Sequence, residues 1–128
     1  MKLTIIRLET FSEQDKIDLA KIWPEYSEES LDVDDTHLIY AARFNDRLLG
    51  AARVTLSDNQ GAVDSFRVRD VTRRRGVGKY LLEEILRLHP EVFDWWVTDV
   101  GVENYAAMNQ FMLAQGFTER EGGWHIVE

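Results

Sequence analysis

The sequence predicts an α+β (α/β) fold: a mixed, mostly antiparallel sheet with helices on both faces. Two observations predict the sheet. Stretches rich in Val, Ile, Thr and aromatic residues recur along the chain, and three of them follow one another with only short turns between. A third observation predicts the helices. The segments between the remaining strands repeat apolar residues at helical spacing and carry start and stop signals.

"KLTIIRL" (2–8) reads as the first strand. Ser12 then opens a helix, with Asp15 three residues on as an approximate capping box. Ile17, Leu19, Ala20, Ile22 and Trp23 would give this helix its apolar side, and Pro24 ends it. Residues 25–35 hold six acids and no base, and read as a short helix and a loop. "THLIYAARF" (36–44) and "RLLGAARVTLS" (47–57) flank Asn45-Asp46, a two-residue hairpin turn with Asp in place of the preferred Gly. "DNQG" (58–61) reads as a second turn and "AVDSFRV" (62–68) as the third strand of this meander. Val77, Leu81, Ile85 and Leu88 mark a helix that His89-Pro90 stops. "FDWWVTDV" (93–100) is a strand in which Trp95 and Trp96 face opposite sides. Asn104 starts a last helix with the stripe Ala107, Met108, Phe111 and Met112, and Gly116 ends it. Gly122-Gly123 turns a closing hairpin into "WHIVE".

The 128 residues suggest one domain spanning 1–128, and 45% hydrophobic content is enough for a core. There is no cysteine, which excludes disulfides, thiolate metal sites and a cysteine nucleophile. No apolar run has the length of a membrane span, and the start has no signal-peptide pattern. The expectation is a soluble, cytoplasmic protein, monomeric when free, with no membrane partner. The formal net charge of −8 argues against nucleic acid. The charge is uneven, however. Residues 67–79 hold Arg67, Arg69, Arg73, Arg74, Arg75 and Lys79 against Asp70 alone. A basic island in an acidic body suits a small polyanion.

That island lies in "VTRRRGVGKY" (71–80), between a strand and a helix. The first turn of a helix has free backbone N–H groups and partial positive charge, so it attracts phosphate. Gly76 and Gly78 let backbone approach a pyrophosphate, and arginines supply forked donors. Walker A does not fit, because one residue separates the glycines and Tyr80 follows Lys79. The dinucleotide fingerprint does not fit either, because Leu81 stands at its third glycine. The alternative is a solvated basic turn; the strand–loop–helix setting in an acidic chain favours phosphate.

Arg73-Arg74-Arg75-Gly76-Val77-Gly78 resembles the coenzyme A loop R/Q-x-x-G-x-G/A of the Gcn5-related N-acetyltransferases, the GNAT family. "FRV" (66–68) before it, "NYAAMNQFMLAQGF" (104–117) after it and the element order are similar too, so the resemblance covers essentially the whole chain. It implies a GNAT fold that binds acetyl-CoA or CoA. The backbone of Phe66, Arg67 and Val68 would pair with the pantetheine arm. The loop Thr72, Arg73, Arg74, Arg75, Gly76, Val77, Gly78 and Lys79 would hold the pyrophosphate, and Asn104 would lie near the arm. Long stretches such as "MKLTIIRLE", "KIWPEYS" and "IYAARFN" are similar to a branch of the family that matures and regulates aspartate α-decarboxylase. That closer resemblance implies docking on the decarboxylase, faster self-cleavage of its proenzyme to the pyruvoyl form, and restraint of the mature enzyme. Asn45, Arg73 and Arg74 would then touch the partner.

Acetyl transfer to an amine needs a base and an acid. The resemblance puts the acid, a Tyr, at position 112, where this chain has Met112, and a thioether donates no proton. Tyr105 is almost two helical turns away. Asp64 is conceivable as a base, and an ordinary strand carboxylate is the plainer reading. No catalytic residue is therefore assigned. The acidic run 25–35 reads as solvated surface or a face for a basic partner. "DVDD" with His37 lacks the Gly and Glu of a calcium loop, so no metal is expected. His37, His89 and His125 are scattered and form no triad. Trp23, Trp95, Trp96 and Trp124 read as core or interface. Three readings remain: an acetyl-CoA-gated protein regulator, an active N-acetyltransferase for a small-molecule or protein amine, and an unrelated phosphate-binding module. Met112 separates the first two, and the bound ligand separates the third.

Overall fold

The computed structural model describes residues 3–24, 33–69, 76–99, 102 and 104–127. Its elements are β1 (Thr4–Arg7), α1 (Glu13–Ile22), β2 (His37–Phe44), β3 (Arg47–Ser57), β4 (Gln60–Val68), α2 (Val77–Leu88), β5 (Asp94–Thr98), α3 (Tyr105–Ala114), β6 (Thr118–Arg120) and β7 (Gly123–Val127). The short helix expected within 25–35 falls largely outside the described residues. The strands form one sheet in the order β1-β2-β3-β4-β5-β7-β6. Only β4–β5 is parallel, so the sheet is mixed and mostly antiparallel. A parallel neighbour needs a crossover, and α2 is that crossover.

The turns follow their residues. Asn45 and Asp46 both have positive φ, 53° and 62°, as a tight two-residue hairpin requires. The second turn is shorter than "DNQG" suggests: Ser57 already pairs with Gln60, so only Asp58 and Asn59 turn. Gly61 is therefore a strand residue. It is there because a Cβ would come within 2.5 Å of the Trp95 ring. Helix α3 ends in a Schellman motif, with Phe117 N–H on the Met112 carbonyl and Gly116 N–H on that of Leu113, both at 3.1 Å.

Helices cover both faces. Val77, Leu81, Leu82 and Ile85 of α2 pack with Leu38, Tyr40, Val54, Val63, Trp95, Val97, Met112 and Trp124. Leu88, expected in that stripe, is 42% exposed at the last turn, and Leu82 takes a buried place instead. Helix α1 packs on the other face with Leu8, Ile39, Ala41, Leu48 and Ala51. Its buried residues are Asp15, Asp18, Leu19 and Ile22. Ile17 and Ala20, expected on the packed side, are exposed. The reason is pairing: Asp18 takes a forked contact from Arg47 at 2.8–3.3 Å and the Leu48 N–H at 3.0 Å, and Asp15 takes Arg43 at 3.1 Å. The Ser12–Asp15 capping box is complete in both directions.

Strand β4 has two halves. From Gln60 to Val63 it pairs with β5; among the described residues no β5 pairing follows beyond Val63, although β4 runs on to Val68. The break coincides with a bulge. Arg53 pairs with Asp64 but Ala51 with Arg67, so Ser65 and Phe66 both stand opposite Ala52. Ser65 has φ of 54°.

Candidate functional site: a cleft where two parallel strands part

The parting of β4 from β5 leaves a cleft of about 190 Å³. Phe66, Arg67 and Val68 of β4 form one wall, Gly76, Gly78 and Lys79 of the α2 start form another, and Val102, Asn104, Ala107, Met108 and Phe111 close it from the α3 side. The Phe66 and Phe111 rings stack 5.8 Å apart at 27°. One part of the cleft is thus an apolar slot. The other is polar. Gly76 is the N-cap of α2 in the left-handed region (φ 72°), no side chain caps the helix, and no acid stands in its first turn. Among the described residues, the first-turn N–H groups and partial positive charge are left for an anion. Lys79 adds a cation that also lies 3.9 Å from Glu83 one turn on. An apolar slot leading to a positively polarised helix start suits a slender chain with an anionic end.

Most of the sequence-predicted residues in the described part converge here: Phe66, Arg67, Val68, Gly76, Gly78, Lys79 and Asn104. Val77 is 2% exposed, its side chain in the core, and it is not part of the lining. Asn104 caps α3, its side-chain Oδ1 accepting the Ala107 N–H at 3.1 Å. Thr72, Arg73, Arg74 and Arg75 lie outside the described residues. Asn45 sits at the β2–β3 hairpin tip, apart from the cleft lining. Sequence reasoning missed Ala107, Met108 and Phe111 as lining and read them as one core stripe with Met112. The structure splits that stripe: Met112 is fully buried, while the other three border the cleft. Met108 and Phe111, about one and two turns after the capping Asn104, carry no mark that tells a cleft wall from a core.

The candidate acid–base groups point elsewhere. Tyr105 stacks on Trp124 at 5.3 Å and donates to Glu119 at 2.6 Å, and that bond to a carboxylate pushes the phenol pKa up. Asp64 accepts the Ser65 hydroxyl at 2.9 Å and is not part of the lining. Among the described lining residues there is no carboxylate, imidazole or phenol. Asp34 and His37 are explained by a turn: the Asp34 carboxylate accepts the N–H groups of Thr36 and His37 at 2.8 Å, which with the His37 ring holds its pKa down at about 2. Among the described residues, no group of three or more His, Asp or Glu could hold a metal. His89 bonds Tyr40 at 2.8 Å and His125 bonds Asp94 at 2.5 Å, in separate places. Trp23, Trp95 and Trp124 are core, and Trp96 lies on the opposite face of β5 beside the His125 ring at 4.3 Å. Among the described residues no helix is long and apolar enough to cross a membrane.

Comparison with known proteins places this geometry. Residues 2–125 match the family described as the acetyltransferase (GNAT) domain, PanZ. The chain is 68% identical to the PanD regulatory factor of Escherichia coli (strain K12) over 124 residues, 97% of this chain and 98% of that protein. It is 67% identical to the PanD regulatory factor of Salmonella typhimurium over the same shares. Among solved structures, the E. coli protein YhhK in its coenzyme A-bound solution form superposes with a TM-score of 0.92, at 66% identity and over all of both chains.

Proposed function

This chain belongs to the PanZ family of GNAT domains, and from that membership we propose that it is an acetyl-CoA- or CoA-dependent regulator of PanD, aspartate α-decarboxylase. The observation that carries the proposal is the cleft between β4 and α3, apolar along Phe66, Val68, Met108 and Phe111 and positively polarised at Gly76–Lys79. In this reading the slot takes the pantetheine arm, and the backbone of Phe66–Val68, on the cleft wall, is the edge for its amides. The α2 start and Lys79 hold the pyrophosphate, and Arg73, Arg74 and Arg75 add their forked donors to it. The coenzyme brings a thiol or thioester; the protein binds and orients it. Turnover with amines is not the proposed role, because Met112 is buried in the core and the described lining holds no carboxylate, imidazole or phenol, while its Lys79 ammonium is assigned to the pyrophosphate. The same 1–128 domain then carries the ligand and docks, free as a monomer in the cytoplasm, with no nucleic acid or membrane partner.

A ligand gates docking only if it favours the docking-competent state, and by linkage PanD must tighten acetyl-CoA binding by the same factor. The test is self-cleavage of the PanD proenzyme, followed by mass spectrometry, with this protein added in the presence and absence of acetyl-CoA. Cleavage should accelerate only when both are present. Arg73→Ala should weaken acetyl-CoA binding about tenfold by calorimetry. Asn45→Ala should leave that affinity unchanged and weaken docking. Cleavage no faster than that of the proenzyme alone overturns the proposal, as does sustained acetyl-CoA turnover with amines at about 1 s⁻¹ without any effect on PanD.

A further inference from the structure

We propose that Trp23, which does not line the cleft, is a positioning residue for it: its indole N–H pins the Ser65 kink that parts β4 from β5. The proposal rests on the reading of the cleft as a coenzyme A site. Ser65 has φ of 54°, a left-handed conformation that a serine adopts only when its surroundings hold it there. Trp23 Nε1 donates to the Ser65 carbonyl at 2.8 Å, with both residues 1% exposed. Two residues on, Arg67 Nη1 donates to the Ile22 carbonyl at 3.0 Å. The C-terminal end of α1 thus grips the bulge at two points, from the face opposite α2.

Trp23 is itself well fixed. It caps α1, its N–H bonds the Leu19 carbonyl at 2.7 Å, and its ring packs among Leu8, Leu19, Ile22, Ile39 and Leu48. The helix in turn cannot slide, because Asp15 and Asp18 are locked onto Arg43 and Arg47. The kink therefore has a rigid anchor outside the sheet. Its consequence is functional. Past Ser65, Phe66, Arg67 and Val68 form the cleft wall. Without the pin, Ser65 relaxes toward the extended conformation its side chain prefers. Only a fraction of molecules then presents the open wall, and apparent affinity falls by that fraction.

The plainer alternative is that Trp23 only fills the core and satisfies its own N–H. Trp23→Phe keeps most of the apolar bulk and removes the donor. Ser65→Gly separates the two roles, because glycine takes a positive φ without support. Coenzyme A affinity is measured by calorimetry and thermal midpoint by scanning, on the full chain, for W23F, S65G and the double variant. W23F should bind coenzyme A about tenfold more weakly. S65G alone should bind like the parent. The double variant should regain affinity to within about threefold of the parent while keeping the lowered midpoint of W23F. Should W23F fail to fold, benzothienylalanine at position 23 removes only the N–H and should show the same loss and rescue. Parent-like affinity in W23F, or no rescue by glycine, overturns the proposal. Absence of coenzyme A binding in the parent protein would instead overturn the cleft reading.

Discussion

Helices α1 and α2 lie on opposite faces of one sheet and are held by different forces. Helix α2 buries Val77, Leu81, Leu82 and Ile85, and none of its buried residues is charged. Helix α1 buries two acids beside Leu19 and Ile22, and those acids grip the two arginines that flank the β2–β3 hairpin turn. Apolar packing is indifferent to pH and direction. A carboxylate with a forked arginine is directional, and it fixes α1 to one register against the hairpin. The difference fits the work of the two helices. One fills the core under the cleft. The other acts as a strut that ties the hairpin tip at one end to the β4 bulge at the other.

The largest expected effect is on the apolar side. Leu81 is fully buried at the centre of the α2 contact. Leu81→Ala should destabilise the protein by about 2–5 kcal/mol, through lost burial and a residual cavity. Urea unfolding should show this loss equally at pH 7 and pH 4, because no charge is involved. A loss that changes with pH would break the contrast between the helices.

How much of this was legible follows the same contrast. Helix α2 was readable, because apolar residues alone mark its face. Helix α1 was found with its cap and its end, and its face in part: Leu19, Ile22 and Trp23 are buried as expected, Ile17 and Ala20 are not. Positions 15, 18, 19 and 22 have the i, i+3, i+4, i+7 spacing of a packed stripe, but two of the four are Asp. Nothing local says that an acid is buried; the partners are Arg43 and Arg47, more than 25 residues away. The site was legible at Gly76, whose φ of 72° calls for glycine, and in the Gly-x-Gly spacing that it shares with Gly78. It was not legible at Ala107, Met108 and Phe111, whose composition is that of a core. The Ser65 bulge had no sequence mark, since it arises from β3 pairing and the Trp23 bond, both long-range.

A smaller effect is expected from the charged side, and it should depend on pH. Burial pushes the Asp18 carboxyl up, but the bonds from Arg47, the Leu48 N–H and Gln14 outweigh it, so its pKa is lowered. A lowered folded pKa gives stability that is present above the unfolded value of about 3.9 and lost as pH falls through the folded value. Asp18→Asn should therefore cost about 2 kcal/mol at pH 7, below the range for breaking a fully buried pair because the Arg47 side chain is 42% exposed. The gap between the two proteins should begin to narrow below about pH 4, where the unfolded parent's carboxylate takes up its proton, and close as pH falls through the lowered folded value. Denaturant midpoints across pH 2.5–7 measure it. A gap that is constant over that range would mean that shape rather than charge holds α1.

The smallest effect tests the face assignment itself. Ile17 is the apolar residue that sequence periodicity most invites into the core, and it is 50% exposed. Its neighbours in the helix, Lys16 and Asp18, show why. Lys16 lies 3.7 Å from Glu13 on the outer side, while Asp18 points inward to Arg47, so the turn between them is oriented by charge. If α1 were packed by its apolar residues, Ile17→Ser would remove a buried side chain and cost about 1.5–3 kcal/mol. With the acids setting the face, the same change removes little contact and should stay within about 0.5 kcal/mol. The matching substitution Leu19→Ser, two residues on and 2% exposed, should be severe. Comparing the two by urea unfolding asks which residues orient the helix, and near-equal losses would return the packed face to Ile17 and take it from Asp18.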